Sequence, residues 1–323
     1  MKIRIGWLAA ALLCACSVVQ TAVASNYPAR PITIISTSPP GGPIDVIVRP
    51  IAQRLGDLLG QPVIVESHAG ANGAIASVDV AKAAPDGYTL LVTYLAPVAL
   101  NPAMRSNLPY DSIRDFAPVT QLDSAALVIL VRPDLPIHSV AELVDYAKTH
   151  PRKLTFGTSG SGSAGHLAGT LLGQETGITL THVPYKGAGP ALTDLLGGHI
   201  DMALIGLSGG MSYVKDGRLR AIAVTTLKRS KLLPSVPAVA DTIPGFDMDS
   251  WYGILAPAHT PEPIVRKLQQ GISAILREPA IQTLLSSSGV EPLGSTPEEF
   301  GAKIKEEIAR WAPVVKRAGL GDK

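Results

Sequence analysis

The apolar positions of this chain follow two alternating patterns, short continuous runs and longer stretches of helical spacing. Ile32 to Ser36 is a β-branched run between prolines, which is typical of a buried strand. A helical stretch follows and ends at Gly60; its apolar residues are Ile47, Ile51, Leu55 and Leu58. The order repeats with runs at Pro62 to Glu66 and Tyr88 to Tyr94, separated by an Ala-rich stretch from Ala74 to Ala84. This alternation predicts an α/β fold with mostly parallel sheets covered by helices on both faces.

The apolar runs also indicate where the chain crosses between two lobes. After an irregular stretch from Asn101 to Pro118, extended segments from Val119 to Leu122 and from Ala125 to Val131 predict a first crossing. Trp251 to Ala256 predicts the strand that returns. The expected division is residues 25–123 with 251–323 for lobe 1, and residues 124–250 for lobe 2.

Prolines and capping residues predict where several helices begin or bend. Pro50 lies inside the first helical stretch, where it predicts a kink or a second helix start. Ser139 and Glu142 form a capping box that opens a helix ending near His150. Thr296 to Glu299 is another capping box, with a proline at the first helical position. It opens an amphipathic helix, so we expect the tail of the chain to be helical.

The first 24 residues have the features of a cleavable signal peptide. Lys2 and Arg4 precede an almost unbroken apolar stretch from Trp7 to Val19. Ala22-Val23-Ala24 then supplies a small-residue cleavage site before Ser25. The apolar stretch is too short for a permanent transmembrane helix. The leader therefore predicts that the chain is exported.

Removal of this leader changes the charge and the thiol content of the chain. It takes away Lys2 and Arg4 but no acidic residue, so Lys plus Arg and Asp plus Glu are equal at 26 each. A chain without net positive charge lacks the basic face of a nucleic-acid-binding protein. Cys14 and Cys16 both lie in the leader, so the exported chain has no disulfide and no thiolate chemistry. As an alternative, the run from Leu13 to Cys16 resembles a lipobox, which would place a lipid anchor on Cys16.

Two loops of small residues each follow a predicted strand and precede a predicted helix. One runs from Ser36 to Asp45, and the other contains only Gly, Ser and Thr from Gly157 to Ser163. Such loops present backbone N–H groups and hydroxyls at a helix N-terminus, where the helix dipole adds partial positive charge. Such loops bind an anion although the loops themselves carry no formal charge. We expect the two loops to face each other across a cleft and to hold a small carboxylate.

Other polar residues near these loops have both a functional and a structural interpretation. Thr93 and Tyr94 end the third predicted strand, either at the edge of the cleft or in a plain loop. His166, on the first turn after the second loop, either contacts the ligand or packs and caps the helix. Tyr185 follows a strand and is placed to bind a carboxylate. Asp45 either contacts the ligand or accepts N–H groups of its own loop.

The sequence argues against several other functions. Gly160 to Gly165 fits the G-x-G-x-x-G pattern, but the next strand ends His182-Val183-Pro184 and lacks the acid that a dinucleotide site needs. A purely structural glycine turn is a further interpretation of this loop. The chain has no H-E-x-x-H pair. Gly206 to Gly210 is its one match to the G-x-S-x-G pattern of a nucleophile elbow, and a motif this short is weak evidence for a hydrolase. We therefore expect no catalysis, no metal and no cofactor, with an exported hydrolase as the alternative.

A series of short motifs follows the leader in a fixed order. They are Tyr27-Pro28-x-Arg30-Pro31-Ile32, Pro39-Pro40-Gly41-Gly42-x-x-Asp45, Gly60-Gln61-Pro62-Val63-Ile64-Val65-Glu66, Ala84-Pro85-Asp86-Gly87-Tyr88-Thr89, Asp115-Phe116-Ala117-Pro118-Val119, His182-Val183-Pro184-Tyr185-Lys186-Gly187, Pro190-Ala191-Leu192-Thr193-Asp194-Leu195-Leu196-Gly197-Gly198, Trp251-Tyr252-Gly253-Ile254-Leu255-Ala256-Pro257 and Thr296-Pro297-Glu298-Glu299-Phe300. Together they resemble the Bug-type solute receptors of tripartite tricarboxylate transporters, over essentially the whole chain after the leader.

This resemblance implies a periplasmic binding protein of type II, an α/β fold whose two lobes are joined by two hinge strands. It implies a small organic carboxylate as ligand, delivered to the membrane subunits of a transporter or presented to a sensor kinase. We expect a monomer. The ligand residues assigned in this way, beside Thr93, Tyr94, His166 and Tyr185, are Ser38, Pro40, Gly41, Gly42, Asp45, Thr158, Ser159, Gly160, Ser161, Gly162 and Ser163.

The chain departs from the pattern of these receptors in two places. Pro43-Ile44 follows the first loop, where relatives often have a small residue and Thr, so one loop hydroxyl is missing. Ile205-Gly206 stands where relatives often carry an Asp-Asn pair. An acid at that place would neutralise a ligand ammonium group. Its absence leads us to expect a ligand without an amino group.

Overall fold

A computed structural model describes residues 27–41, 43–150 and 154–317. The predicted signal peptide, with Cys14 and Cys16, lies outside the described residues. The strands are β1 Ile32–Ser36, β2 Val63–Ser67, β3 Thr89–Tyr94, β4 Phe116–Gln121, β5 Asp123–Val131, β6 Thr155–Thr158, β7 Thr181–Pro184, β8 Met202–Gly206, β9 Arg220–Val224, β10 Asp249–Ser250, β11 Tyr252–Pro257 and β12 Glu291–Pro292.

Ten α-helices occur in the described part of the chain. They are α1 Pro43–Leu59, α2 Ala74–Ala81, α3 Asn101–Met104, α4 Val140–Thr149, α5 Ala164–Thr176, α6 Ala188–Leu196, α7 Leu207–Lys215, α8 Glu262–Leu276, α9 Pro279–Ser287 and α10 Pro297–Arg317. Ser139 caps α4 as predicted, because its side chain accepts the N–H of Glu142.

The first sheet has the strand order β2, β1, β3, β11, β4. β1 pairs in parallel with both β2 and β3, so the carboxyl ends of these three strands lie along one edge. β11 runs antiparallel between β3 and β4. We call this sheet with its helices lobe 1. The sheet is mixed, since the strand that returns from the other lobe enters it from the opposite end.

The second sheet, which with its helices we call lobe 2, has the main order β10, β5, β8, β6, β7. β6 is parallel to β7 and β8, whereas β5 is antiparallel to β8 and β9. The chain leaves lobe 1 between β4 and β5 and returns between β10 and β11. These are the two predicted crossings, and the two-lobed α/β fold is confirmed.

Helix α10 packs against both lobes. Phe300 and Ile304 in its first half are fully buried, and Phe300 meets the ring of Trp251 edge-on at 5.3 Å. Trp311 and Val314 in its second half belong to an apolar cluster that continues into lobe 2. Gln174 of α5 donates to the backbone carbonyl of Val314 at 3.4 Å. The last helix therefore links the two lobes in addition to the crossing strands.

The structure corrects several predicted boundaries. Helix α1 runs unbroken through Pro50, so the prediction of a second helix start is wrong. Pro50 has no N–H, so the carbonyl of Val46 lacks its helical donor, and this part of the helix lies at the surface, with Val46 44% exposed. The stretch predicted as irregular begins with α3 and ends inside β4.

The sequence predicts a helix from Met211 to Lys215, but helix α7 begins four residues earlier, at Leu207. The first turn contains Ser208, Gly209 and Gly210, which have low helix propensity. Packing outweighs that propensity, since a Cβ on Gly210 would lie only 2.7 Å from the side chain of Leu130. Helix α9 has no counterpart in the sequence-based prediction.

Candidate ligand site

The first small-residue loop leaves β1 at the carboxyl edge of the lobe 1 sheet. Ser36 Oγ accepts the N–H of Ser38 at 3.3 Å, and Ser67 Oγ donates to the carbonyl of Ser38 at 2.6 Å. Ser67 ends β2, so a hydroxyl of the neighbouring strand fixes the path of the loop. Pro40 and Gly41 are exposed at its tip, and Gly42 lies outside the described residues.

Asp45 closes this loop from within. Its Oδ2 accepts the N–H of Gly41 at 2.7 Å and pairs with Arg49 Nε at 2.9 Å. Burial alone would raise the pKa of Asp45, but the Gly41 N–H and the Arg49 guanidinium outweigh it and lower the pKa. The carboxylate is thus ionised and serves as the acid at the helix N-terminus that the sequence offered as its structural interpretation.

Thr93 and Tyr94 have different environments at the end of β3. Thr93 is fully buried, and its Oγ1 has no hydrogen-bond partner within the described residues. Tyr94 is half-buried, and its hydroxyl lies 3.4 Å from Oδ1 of Asn72. Of these two residues, Tyr94 is the one that reaches the surface.

A third loop, which the sequence predicts only as a turn from Gly70 to Gly73, meets the first one. Ala71 and Asn72 both have left-handed backbone conformations, with φ of 47° and 58°. Such residues cost conformational energy and are often found at functional sites. A Cβ on the adjacent Gly73 would lie 3.2 Å from the side chain of Thr37. The dipeptide Asn72-Gly73 was the available sequence signal for this turn.

The second small-residue loop lies between β6 and α5 in lobe 2. Thr158 Oγ1 accepts the N–H of Gly160 at 3.2 Å, and Ser163 caps α5 by accepting the N–H of His166 at 3.3 Å. Gly160 and Gly162 have φ of 137° and 75°, which side chains rarely adopt. The hydroxyl-bearing residues Ser159 and Ser161 are exposed.

The N-terminus of α5 lies directly against the lobe 2 sheet. A Cβ on Gly165 would collide with the backbone carbonyl of Leu204 in β8. The absence of a side chain therefore allows this close approach. The first backbone N–H groups of a helix have no intrahelical acceptor, so those of Ala164 and Gly165 remain for an outside partner.

A histidine pair supports the second loop. The rings of His166 and His182 stack with their centroids 3.9 Å apart and their planes 11° apart. His166 Nδ1 accepts the N–H of Gly162 at 3.1 Å, so this nitrogen carries no proton. His182 Nε2 lies 2.8 Å from Thr158 Oγ1. No role for His182 follows from the sequence, because nothing in a single sequence indicates that the two rings meet.

Both imidazoles of this pair are neutral at pH 7. Burial lowers the pKa of His166, and burial with the neighbouring His166 lowers the pKa of His182 to about 4. The loop is therefore held by neutral hydrogen-bonding groups. In this structure His166 supports the loop through its Nδ1 and its stacked ring, and a contact with the ligand stays a prediction.

Tyr185 is engaged inside lobe 2. Its hydroxyl donates to Asp194 Oδ2 at 2.6 Å, and its backbone N–H donates to the carbonyl of Thr158 at 3.1 Å. Burial and the Asp194 carboxylate raise the pKa of Tyr185 to about 12. In this structure Tyr185 connects α6 to the end of β6.

The two crossings are joined by a reciprocal pair of aspartates. Asp123, on the outgoing strand, accepts the N–H of Tyr252 at 2.7 Å. Asp249, on the returning strand, accepts the N–H of Ala125 at 3.1 Å and the hydroxyl of Ser124 at 2.9 Å. Burial raises the pKa of Asp123 well above its usual value and that of Asp249 to about 6. The hinge therefore contains two protonatable groups outside the loops.

Within residues 27–41, 43–150 and 154–317, no group of three or more His, Cys, Asp or Glu side chains is arranged to hold a metal ion. None of the helices in the described part of the chain has the length and apolar character needed to span a bilayer.

Comparison with known proteins agrees with this architecture. The family described as "Tripartite tricarboxylate transporter family receptor" matches residues 47–320. The chain is 37% identical to protein BugT of Bordetella pertussis over 298 residues, which cover 92% of this chain and 91% of BugT.

Two solved structures of Rhodopseudomonas palustris proteins carry carboxylates. Rpa4515 with adipate is 36% identical, has a TM-score of 0.75 and is matched over 91% of this chain and 98% of its own. MatC (Rpa3494) with bound malate is 32% identical, has a TM-score of 0.72 and is matched over 90% of this chain and 100% of its own. The resemblance predicted from the sequence motifs is confirmed. This chain belongs to the Bug-type receptors of the tripartite tricarboxylate transporter family.

Proposed function

We propose that this protein captures a small organic carboxylate between its two lobes in the periplasm and delivers it to a membrane transporter of the tripartite tricarboxylate type. The observation that carries the proposal is the pair of small-residue loops, one on each lobe. Each follows a parallel strand and opens a helix, where N–H groups and the helix dipole favour an anion. The adipate and malate carried by the two relatives support a ligand of this class.

The hydrogen bonds inside the loops indicate which groups remain for a ligand. The N–H groups of Gly41 and Gly162 are engaged with Asp45 and His166. We infer that the ligand meets the hydroxyls of Ser159 and Ser161 and the first N–H groups of α5. Tyr94 and Asn72 are candidate donors from lobe 1.

Closure of the lobes is the proposed mechanism. Each loop alone offers a few donors to one end of the ligand, and only a closed cleft brings both sets together. The ligand then shifts the equilibrium by the difference between its affinities for the open and the closed form. Neutral donors suit this task because they lose less hydration energy on burial than a charged side chain would.

The end of β8 supports a ligand without an ammonium group. Ile205 is buried and apolar, and Gly206 has no side chain, so neither supplies a negative charge at that edge. We expect dicarboxylates and hydroxy acids that lack an amino group to bind more tightly than aspartate or glutamate. Tight binding of either amino acid would contradict this part of the proposal.

Thermal unfolding of residues 25–323 against a panel of carboxylates tests the proposal. Malate and adipate are included, with aspartate, glutamate and NAD as comparison compounds. A ligand at about 100 times its Kd stabilises the folded state by roughly 2.7 kcal/mol, which raises the midpoint by several degrees. A shift with one or a few carboxylates supports the receptor, whereas a flat panel contradicts it.

A matched pair of variants tests the site itself. Gly162 has φ of 75°, where Asp and Asn are among the least strained side chains, and a Cβ there meets no atom within 4 Å. We expect Gly162→Asp to weaken carboxylate binding by roughly a hundredfold or more, since like charges at a binding site cost several kcal/mol. Gly162→Asn has the same shape without the charge and should change the affinity only a few-fold. Isothermal titration compares the two, and equal affinities would refute the assigned site.

A further inference from the structure

A segment after α9 forms a third contact between the lobes. Helix α9 packs against α1 and α8 of lobe 1, and β12 then pairs with the beginning of β5. Leu293 and Gly294 continue beside the outgoing crossing, where their N–H groups donate to the carbonyls of Leu122 and Gln121. Gly289 to Pro292 therefore lies at the boundary between the lobes.

Gly289 touches the backbone of lobe 2. Its φ is 73°, and a Cβ built on it would lie 2.6 Å from both Cα and the backbone nitrogen of Ser208, and closer still to Cβ of Ser208. A side chain at this position would meet main-chain atoms, which cannot rotate away. Glycine is thus required both by the backbone conformation and by the distance between the two segments.

Glu291 adds polar contacts to the same boundary. Its Oε1 accepts the hydroxyl of Ser230 at 2.6 Å and the backbone N–H of Lys231 at 2.9 Å. Ser230 is buried, with 3% of its surface exposed. These charge-assisted bonds fix the chain after β9 of lobe 2 to the segment from lobe 1. We call Gly289, Glu291, Ser208, Ser230 and Lys231 the lobe seat.

The lobe seat lies next to the lobe 2 half of the candidate site. Ser208 is the second residue of α7, which begins at the carboxyl end of β8. β8 is parallel to β6, and the loop from Ser159 to Ser163 begins at the carboxyl end of β6. Both segments therefore belong to one edge of the lobe 2 sheet, and we expect a displacement at the seat to reach the loop through that sheet.

We propose that Gly289 is a positioning residue that sets the distance between the lobes and thereby the geometry of the closed ligand site. The proposal rests on the proposed function for its binding readout. A side chain at Gly289 separates the lobes at the seat. Hydrogen bonds to a bound carboxylate require donor–acceptor distances of about 2.7–3.2 Å, so the separated loops no longer hold both ends of the ligand together.

Gly289→Ala with Gly245→Ala as its control tests the proposal. Gly245, in lobe 2, has φ of 81°, and a Cβ there meets no atom within 4 Å. Both substitutions place alanine in the left-handed region, but only the one at Gly289 introduces a collision. We expect Gly289→Ala to weaken malate or adipate binding at least tenfold, with Gly245→Ala within twofold of the wild type.

A distance measurement tests the same point without a ligand. The two cysteines of the chain lie in the predicted leader, so Lys82→Cys in lobe 1 and Lys148→Cys in lobe 2 give two unique sites for spin labels. The separation of the labels should be larger in Gly289→Ala than in wild type and Gly245→Ala.

Each outcome bears on one of the two proposals. Equal affinities and equal label distances in the two alanine variants would overturn the role of Gly289. Failure of the wild type to bind any carboxylate would refute the proposed function, while a changed label distance would still support the lobe seat. If Gly289→Ala does not fold, Glu291→Ala replaces it. We then expect weaker carboxylate binding and a larger distance between the labels. Unchanged binding and an unchanged distance would overturn the proposal.

Discussion

At the scale of single residues, side chains that the sequence places beside the ligand are used to hold the loops in shape. Asp45, His166 and Tyr185 all have partners within the protein. The residue types were predictable, because small residues, a helix N-terminal acid and a strand-end tyrosine are visible in the sequence. Their partners were not predictable, with one exception. Arg49 lies four residues after Asp45 in the same helix, a spacing that indicates an ion pair.

The hinge aspartate Asp249 makes stability depend on pH. It is 8% exposed, and burial raises its pKa to about 6, with a partial opposing effect of Lys303. An acid with a raised pKa in the folded state stabilises the fold fully below its unfolded pKa of about 3.9. That contribution is lost as the pH rises through about 6.

We therefore expect the free energy of unfolding of the wild type, relative to Asp249→Asn, to fall by about 2–3 kcal/mol between about pH 4 and pH 7. Asparagine retains an oxygen that accepts from Ser124 and Ala125. Urea unfolding of both proteins across this range measures the difference. A difference that is constant with pH, or that grows toward pH 7, would contradict the assigned ionisation.

At the scale of elements, the sequence predicted those whose apolar spacing is regular. The strands β1 and β3 and the helices α4 and α5 lie within a few residues of their predicted positions. α7 was shortened in the prediction because Ser208, Gly209 and Gly210 are poor helix formers, and its packing on β5 is a tertiary effect. β12 has only two residues, too few for a periodic signal.

Because α10 contacts both lobes, we expect replacement of Trp311 to lower the stability of the whole protein strongly. This side chain is fully buried, and its Nε1 donates to Glu307 Oε2 at 2.7 Å. Trp311→Ala leaves a cavity and should lower the free energy of unfolding by about 3–5 kcal/mol. Lys305→Ala, at an exposed position of the same helix, should change it by less than about 0.5 kcal/mol. Chemical denaturation compares the two, and similar values would show that α10 contributes little through its apolar face.

At the scale of the whole molecule, the two lobes follow from the strand–helix alternation and from the two extended segments that interrupt it. The shape of the cleft does not follow, because it depends on contacts between residues far apart in sequence. Gly289 and Ser208 are an example, as are His166 and His182. In neither pair does the separation along the sequence indicate that the two residues are in contact.

Closure predicts that a bound carboxylate makes the molecule more compact. We expect the radius of gyration from small-angle X-ray scattering to decrease when the ligand found by thermal unfolding is added to the wild type. The Gly162→Asp variant should show no decrease at the same ligand concentration. An unchanged radius in the wild type, with binding shown by calorimetry, would contradict lobe closure.

The packing of α10 against both lobes has a consequence for the cooperativity of unfolding. Trp251, Phe300 and Trp311 lie in one apolar cluster that includes residues of both lobes. Detachment of this helix would expose apolar surface on both lobes in the same event. The two lobes should therefore lose their stability together, in one transition, rather than as two independent units.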